Sequence, residues 1–200
     1  MPELYLFGGP NGWVPKRKHF YAFSWAGAGK TTIAMELLPA LGCREFLNAD
    51  AIARALSPFD ADAVAFQSGV LLMRRVRVLA ESGVDFASES TLAARAWAPF
   101  IKRCQTRGYR FNLIFVWLPS SDMAVERVKA RVQSGGHDIP EETIRRRYEA
   151  GLKNLRELYL PLADRWKVID NSGDKRTLIA AKDNDTTQIL EAETWQRILR

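Results

Sequence analysis

The chain has 200 residues, 47% of them hydrophobic, which suits one domain with a full core and excludes a disulfide-dependent miniature or a disordered polyelectrolyte. Lys and Arg (29) outnumber Asp and Glu (23), and the net charge of +6 favours anionic ligands, with nucleotides and nucleotide sugars qualifying as well as nucleic acid does. Cys43 and Cys104 lie far apart without metal-ligand spacing and read as buried free thiols of a reducing cytosol. The opening MPELYLF lacks the basic region of a signal peptide, and the longest apolar run, residues 113–118, is too short to span a bilayer, so a cytoplasmic protein with no membrane partner is expected.

The elements alternate along the chain. Leu4-Tyr5-Leu6-Phe7 reads as a first strand running into Gly8-Gly9-Pro10-Asn11-Gly12, and a helix is expected from about Thr31 to Leu38. Glu45-Phe46-Leu47 reads as a second strand ending at Asn48-Ala49-Asp50, followed by a helix over 51–56 that Ser57-Pro58 stops. Val64, Leu71, Leu72, Val76 and Leu79 recur at helical spacing across 62–81, and Gly83 closes that helix. Residues 84–87 read as a third strand closing on Ser88-Glu89-Ser90-Thr91, with a helix over 94–107 after it. Residues 109–118 carry the strongest strand signal, apolar on both faces. Helices over 122–132 and from Pro140 to about Ala163 flank the Ser134-Gly135-Gly136-His137 loop. A fifth strand over 166–169 ends at Asp170-Asn171-Ser172-Gly173, and a hairpin and a last helix complete the chain. Strands alternating with helices predict an α/β layer around a mainly parallel sheet, in which ligands sit at the carboxyl ends of the strands.

Gly27-Ala28-Gly29-Lys30-Thr31-Thr32 reads as the second half of a phosphate-binding loop, G-x-x-x-x-G-K-[ST]. In such a loop backbone N–H groups curl around a phosphate, the lysine reaches the β/γ-phosphates and the Thr31 hydroxyl holds Mg²⁺. The helix N-terminus behind it favours the same anion. The position six residues before Lys30 is Ser24 instead of glycine, whereas skipping residues 13–27 restores LYLF-GGPNG-AGKTT. An insertion over 13–27, carrying Lys16-Arg17-Lys18 and five aromatic residues, is therefore expected within the loop; the rival parse makes Phe20-Tyr21-Ala22-Phe23 the strand. Splitting the loop separates N–H groups that must converge, so a copy lacking 13–27 is expected to bind ATP more tightly by calorimetry; equal or weaker binding would reject the split.

Further candidates fall at strand ends. Asp50 is a general base for a hydroxyl attacking the γ-phosphate, or a helix N-cap. Glu89, Ser90 and Thr91 are placed to bind substrate, Glu89 also to hold a metal-bound water, or else to cap a turn. Arg127, Lys129 and Arg131, with Arg145, Arg146 and Arg147, flank the 134–137 loop as a basic flap, Arg127, Arg131 and Arg147 being the favoured phosphate contacts and solvated helix faces the alternative for the rest. His137 reads as a loop hydrogen-bonder, and one short basic cluster does not make nucleic acid the expected partner.

Taken in order, LYLFGGPNG, GAGKTT, FLNADAIARALSP, DFASESTLA, NLIFVWLP, RVQSGGHDIPEETIRRRY and VIDNSG make the chain resemble the zeta-toxin family of P-loop kinases in its short single-domain form. The resemblance implies one P-loop kinase-like, three-layer domain over 1–200, with a central mainly parallel sheet, helices on both faces, a basic flap and a C-terminal hairpin plus helix. It implies phosphorylation by MgATP of a hydroxyl on a UDP-N-acetyl amino sugar, and an antitoxin protein as a partner. By resemblance Lys30 and Thr31 match the ATP/Mg²⁺ residues, with Gly9, Asn11, Gly12, Gly27, Ala28, Gly29, Thr32 and Arg147 around the nucleotide. Asp50 matches the catalytic aspartate of N-A-D, Glu89 and Thr91 the substrate strand end, and Arg127 a phosphate-clamping arginine, while Arg131 is a catalytic candidate from its place beside the flap. The other readings are a kinase of another small hydroxyl compound, such as a nucleoside or antibiotic, and a catalytically weak ATP-binding protein acting through a protein partner.

Overall fold

The computed structural model describes residues 1–10, 29–133 and 138–200. Asn11, Gly12, the 13–27 segment, Gly27, Ala28 and His137 lie outside the described residues.

The strand order is β2-β3-β1-β4-β5-β6-β7. Strands β1 (Glu3–Gly8), β2 (Glu45–Leu47), β3 (Phe86–Ser90), β4 (Arg110–Trp117) and β5 (Arg165–Asp170) are parallel, while β6 (Thr177–Asp183) and β7 (Thr186–Ile189) add an antiparallel end. Residues 3–8, expected as the first strand, form the middle one of the five parallel strands, and the rival strand Phe20-Tyr21-Ala22-Phe23 lies outside the described residues. Period-two alternation divides β1 between two cores. Leu4 and Leu6 join Phe86, Phe111, Leu113 and Phe115 beneath α3 (Ala65–Ser82), α4 (Trp97–Thr106) and α8 (Ala192–Leu199). Tyr5 and Phe7 join Ile114 and Val116 beneath α1 (Lys30–Ala40), α5 (Ser121–Gln133) and α6 (Glu141–Asn154). Helices thus cover both faces, because strands buried on both sides need a layer on each.

Three boundaries differ from the sequence expectation. α2 (Ala49–Leu56) begins two residues early, because Asn48 is its N-cap, accepting from the Asp50 and Ala51 N–H groups at 2.8 and 3.1 Å. Strand β3 starts later and runs to Ser90; the buried Ser88 is tolerated there because its hydroxyl donates to Leu47 O at 3.1 Å. The long helix after Pro140 passes at Leu155–Tyr159 through a π-helical turn and then a short α7 (Leu160–Leu162). At the C-terminal end, Trp195 of α8 stacks on Trp166 of β5, centroids 5.2 Å apart and planes at 16°. Cys43 and Cys104 are free and buried. Among the described residues no helix is long and apolar enough to cross a membrane.

Candidate active site

The carboxyl ends of β1, β2, β3 and β5 open on one edge of the sheet. Beyond β1, Gly9 has φ +145, and a Cβ there would stand 2.3 Å from Val116 O, so only glycine lets the chain turn this close to β4. Gly29, the N-cap of α1, has φ +89, and its absent Cβ would meet the Asn171 amide at 2.5 Å. No described side chain caps α1 and its first turn holds no acidic residue, which leaves its N-terminal N–H groups facing the loop. Pro10 and Gly29 are brought close across residues 11–28, since Lys30 Nζ donates to Gly9 O at 3.0 Å and to Pro10 O at 3.2 Å.

Lys30 is 4% exposed. Burial pulls its ammonium below the ordinary 10.5, opposed by the nearby Glu89 and Asp50 carboxylates. Glu89, near the end of β3, is half-buried with its Oε1 enclosed, and desolvation raises its carboxyl above 4.5. Lys30 and hydrogen bonds from Thr31 and Asn48 work against that rise. One of its oxygens, Oε1, has no hydrogen-bond partner among the described residues, an acceptor left over in a cleft. The Asn48 amide also reaches the Thr31 hydroxyl at 3.5 Å, so the cap of α2 ties the start of α1 to the end of β3.

Asp50 is exposed on the first turn of α2. Its carboxylate does not cap the helix, because Asn48 does. It lies in the field of Lys30, Arg54 and Arg131. Burial lowers the Arg54 and Arg131 guanidinium groups and Asp50 counteracts it, while both remain cations. Arg127 stands elsewhere on α5: its guanidinium donates to Asn171 O and, at 3.2 Å, to Ser172 O beyond β5. Thus Lys30, Thr31, Asp50, Glu89 and Arg131 share one place, and Arg127 holds the β5 end beside Gly29. Thr32 is half-buried on α1, while Arg147 is exposed on α6 away from this group's hydrogen bonds. Ser90 and Thr91 accept from Leu92 N and Ala93 N at 3.0 and 3.4 Å, closing the turn after β3. Sequence reasoning missed Asn48 and Arg54 as members; the cap preference of asparagine and the i,i+4 spacing of Asp50 and Arg54 were the available signals.

The buried carboxyl of Glu89 has a stability consequence. A folded value above the unfolded one means that the native state holds the proton more tightly; the stability is present below 4.5 and is lost as pH rises toward the folded value. Replacing Glu89 with glutamine is therefore expected to raise Tm at about pH 7 and to leave it little changed near pH 4. A Tm difference independent of pH would show that the carboxyl titrates normally.

Similarity to known proteins fits this arrangement. An uncharacterized protein of Haemophilus influenzae is 25% identical over 136 residues, 68% of this chain and 96% of that protein. A chain in the crystal structure of AvrRxo1-ORF1:-ORF2 with ATP superposes with a TM-score of 0.73 at 17% identity, covering 99% of this chain, which spans 63% of that one. The PezAT chromosomal toxin-antitoxin system of Streptococcus pneumoniae gives a TM-score of 0.64 at 15% identity, over 96% of this chain and 75% of that chain. Likeness at such identities bears on the fold, which is P-loop kinase-like. The family model described as Zeta toxin matches residues 25–183, most of the length, and this chain belongs to the zeta toxin family.

Proposed function

We propose that this chain is a kinase that transfers phosphate from ATP to the hydroxyl of a small acceptor, with a UDP-N-acetyl amino sugar as the first candidate. Family and fold together support an ATP-dependent phosphotransferase. The observation that carries the reading furthest is the buried Lys30 ammonium facing two carboxylates, Asp50 and Glu89, beside two glycines that no other residue could replace. These residues fit a phosphate chain: Lys30, Gly9, Gly29 and the start of α1 would hold it, with Asn11, Gly12, Gly27 and Ala28 expected to complete the cradle. They also fit Mg²⁺, which keeps waters and substrate phosphates and needs only a hydroxyl and a carboxylate from the protein, here Thr31 with Asp50 or Glu89. Bound MgATP supplies the transferable phosphoryl group and a divalent charge.

Asp50 accepts the proton of the acceptor hydroxyl. Arg131 and Arg54 neutralise charge around the transferred group. Glu89, Ser90 and Thr91 orient the acceptor, Arg127 keeps the β5 end against Gly29, and Arg147, exposed on α6, has no part in this arrangement. An antitoxin is proposed as the protein partner, since a structural neighbour is a toxin-antitoxin system, and the cytoplasm as the location.

The test is ADP release from MgATP with UDP-N-acetylglucosamine, nucleosides and an aminoglycoside as acceptors, followed by mass measurement of the product. Release dependent on the sugar nucleotide supports the first reading. Release with another acceptor only keeps the kinase and replaces the substrate. Tight MgATP binding without release to any of them favours a nucleotide-binding protein that acts through its partner.

A further inference from the structure

The turn that follows β3 is held in a strained form by a helix some sixty residues further along the chain. Leu92 is fully buried with φ +60, a left-handed conformation that a leucine adopts only when its surroundings impose it. Those surroundings come from the end of α6 and its π-helical turn. The Asn154 amide donates to Leu92 O at 2.8 Å and to Ala93 O at 3.0 Å. The Tyr159 hydroxyl donates to Ala94 O at 2.7 Å. Gly151 admits Thr91 O to 2.7 Å from where its own Cβ would stand.

The π turn explains how one helix can do this. Residues five apart lie about 140° apart around an α-helix, whereas i→i+5 bonding brings them onto one side. Asn154 and Tyr159 therefore face the same segment, and three successive carbonyls, of Leu92, Ala93 and Ala94, are taken up by the two side chains. Asn154 is 5% exposed, and among the described residues its side chain bonds to the Leu92 and Ala93 carbonyls.

The held turn touches both halves of the site. On one side Leu92 lies over Gly8, whose absent Cβ would stand 2.7 Å from Leu92 Cδ1, one residue ahead of Gly9. On the other it follows Glu89, Ser90 and Thr91. The Ser90 and Thr91 hydroxyl oxygens accept from the turn's own amides, and neither hydroxyl donates to a described residue, so both O–H groups are oriented and available.

We infer that Asn154, assisted by Tyr159, is a positioning residue for the acceptor: by holding the Leu92 turn it fixes where Glu89, Ser90 and Thr91 stand relative to the Gly8-Gly9 loop. The inference rests on the kinase reading. It predicts that loosening this turn weakens acceptor recognition and spares the nucleotide.

The experiment uses Asn154→Ala and Tyr159→Phe, the second removing a single hydroxyl from a packed ring. The full chain is assayed with whichever member of the acceptor panel gives the highest wild-type turnover, and MgATP affinity is measured separately by calorimetry. The expected result is an acceptor KM raised about tenfold in Asn154→Ala and severalfold in Tyr159→Phe, with the MgATP Kd within about twofold of wild type. An unchanged acceptor KM, or nucleotide and acceptor affinities falling together, overturns the inference while leaving the kinase intact. Should Asn154→Ala fail to fold, Tyr159→Phe decides alone by the same criteria. Wild-type MgATP binding without turnover of any acceptor overturns the kinase reading first, and this inference with it.

Discussion

Replacing Lys30 with alanine is expected to abolish micromolar MgATP binding and to lower turnover by roughly a hundred- to a thousandfold, the scale of a lost phosphate-stabilising donor. Lys30 is the cation that the fold has buried at the phosphate loop, held by the Gly9 and Pro10 carbonyls and opposed by desolvation. Keeping an ammonium there costs stability, and the anionic neighbours only partly offset it. A phosphate chain is the ligand that would use that charge. Calorimetry on wild type and Lys30→Ala checks the expectation, with far-UV circular dichroism confirming that the variant folds. Binding that survives the substitution would move the nucleotide away from this loop. Absence of binding in both proteins would support the expectation that residues 13–27 interrupt the cradle.

Asp50→Asn should separate chemistry from binding. Turnover is expected to fall by roughly a hundred- to ten-thousandfold, the usual contribution of a general base, with MgATP affinity changed little. The helix should not be disturbed. Its capping acceptor is Asn48 Oδ1, and the Asp50 N–H that bonds to it is unchanged by the substitution. The stability is therefore expected to stay within the change of an ordinary surface substitution, about 0.5 kcal/mol, read from the Tm. Steady-state kinetics with ADP release gives the answer. Turnover within a few fold of wild type would transfer the base role to Glu89, the other carboxylate beside Lys30.

Sheet and site differ in how far the sequence discloses them. Residues 110–117 are apolar enough on both faces that a buried parallel strand is their only economical use, and β1 reads the same way. Once the sheet is parallel, Lys30 and Asp50, which open the helices after β1 and β2, converge with Glu89, the last residue but one of β3. What escapes reading is where two compatible groups compete. Asn48 and Asp50 are both good caps, and the early end of β2 gives the place to Asn48. Ser88, Glu89 and Ser90 are weak strand formers, yet β3 continues through them because its partner carbonyl at Leu47 satisfies the buried serine. The π turn has no glycine or proline within it to announce it, so residues 141–163 look like one regular helix. Arg147 shows the converse: a charge suited to phosphate by type and position in sequence stands on an exposed helix face.

The place of β1 in the sheet also bears on how the chain folds. It is the middle one of the five parallel strands, yet it precedes both partners it needs. The Glu3 N–H bonds to Asp85 across 82 residues and the Glu3 carboxylate to Arg110 across 107. The chain has reached residue 90 before β3 is complete and residue 117 before β4 is, and non-local pairing of this kind is slow. During that interval a short apolar strand stands with both edges open, which makes Leu4-Tyr5-Leu6-Phe7 the segment most in need of shielding while the polypeptide is incomplete.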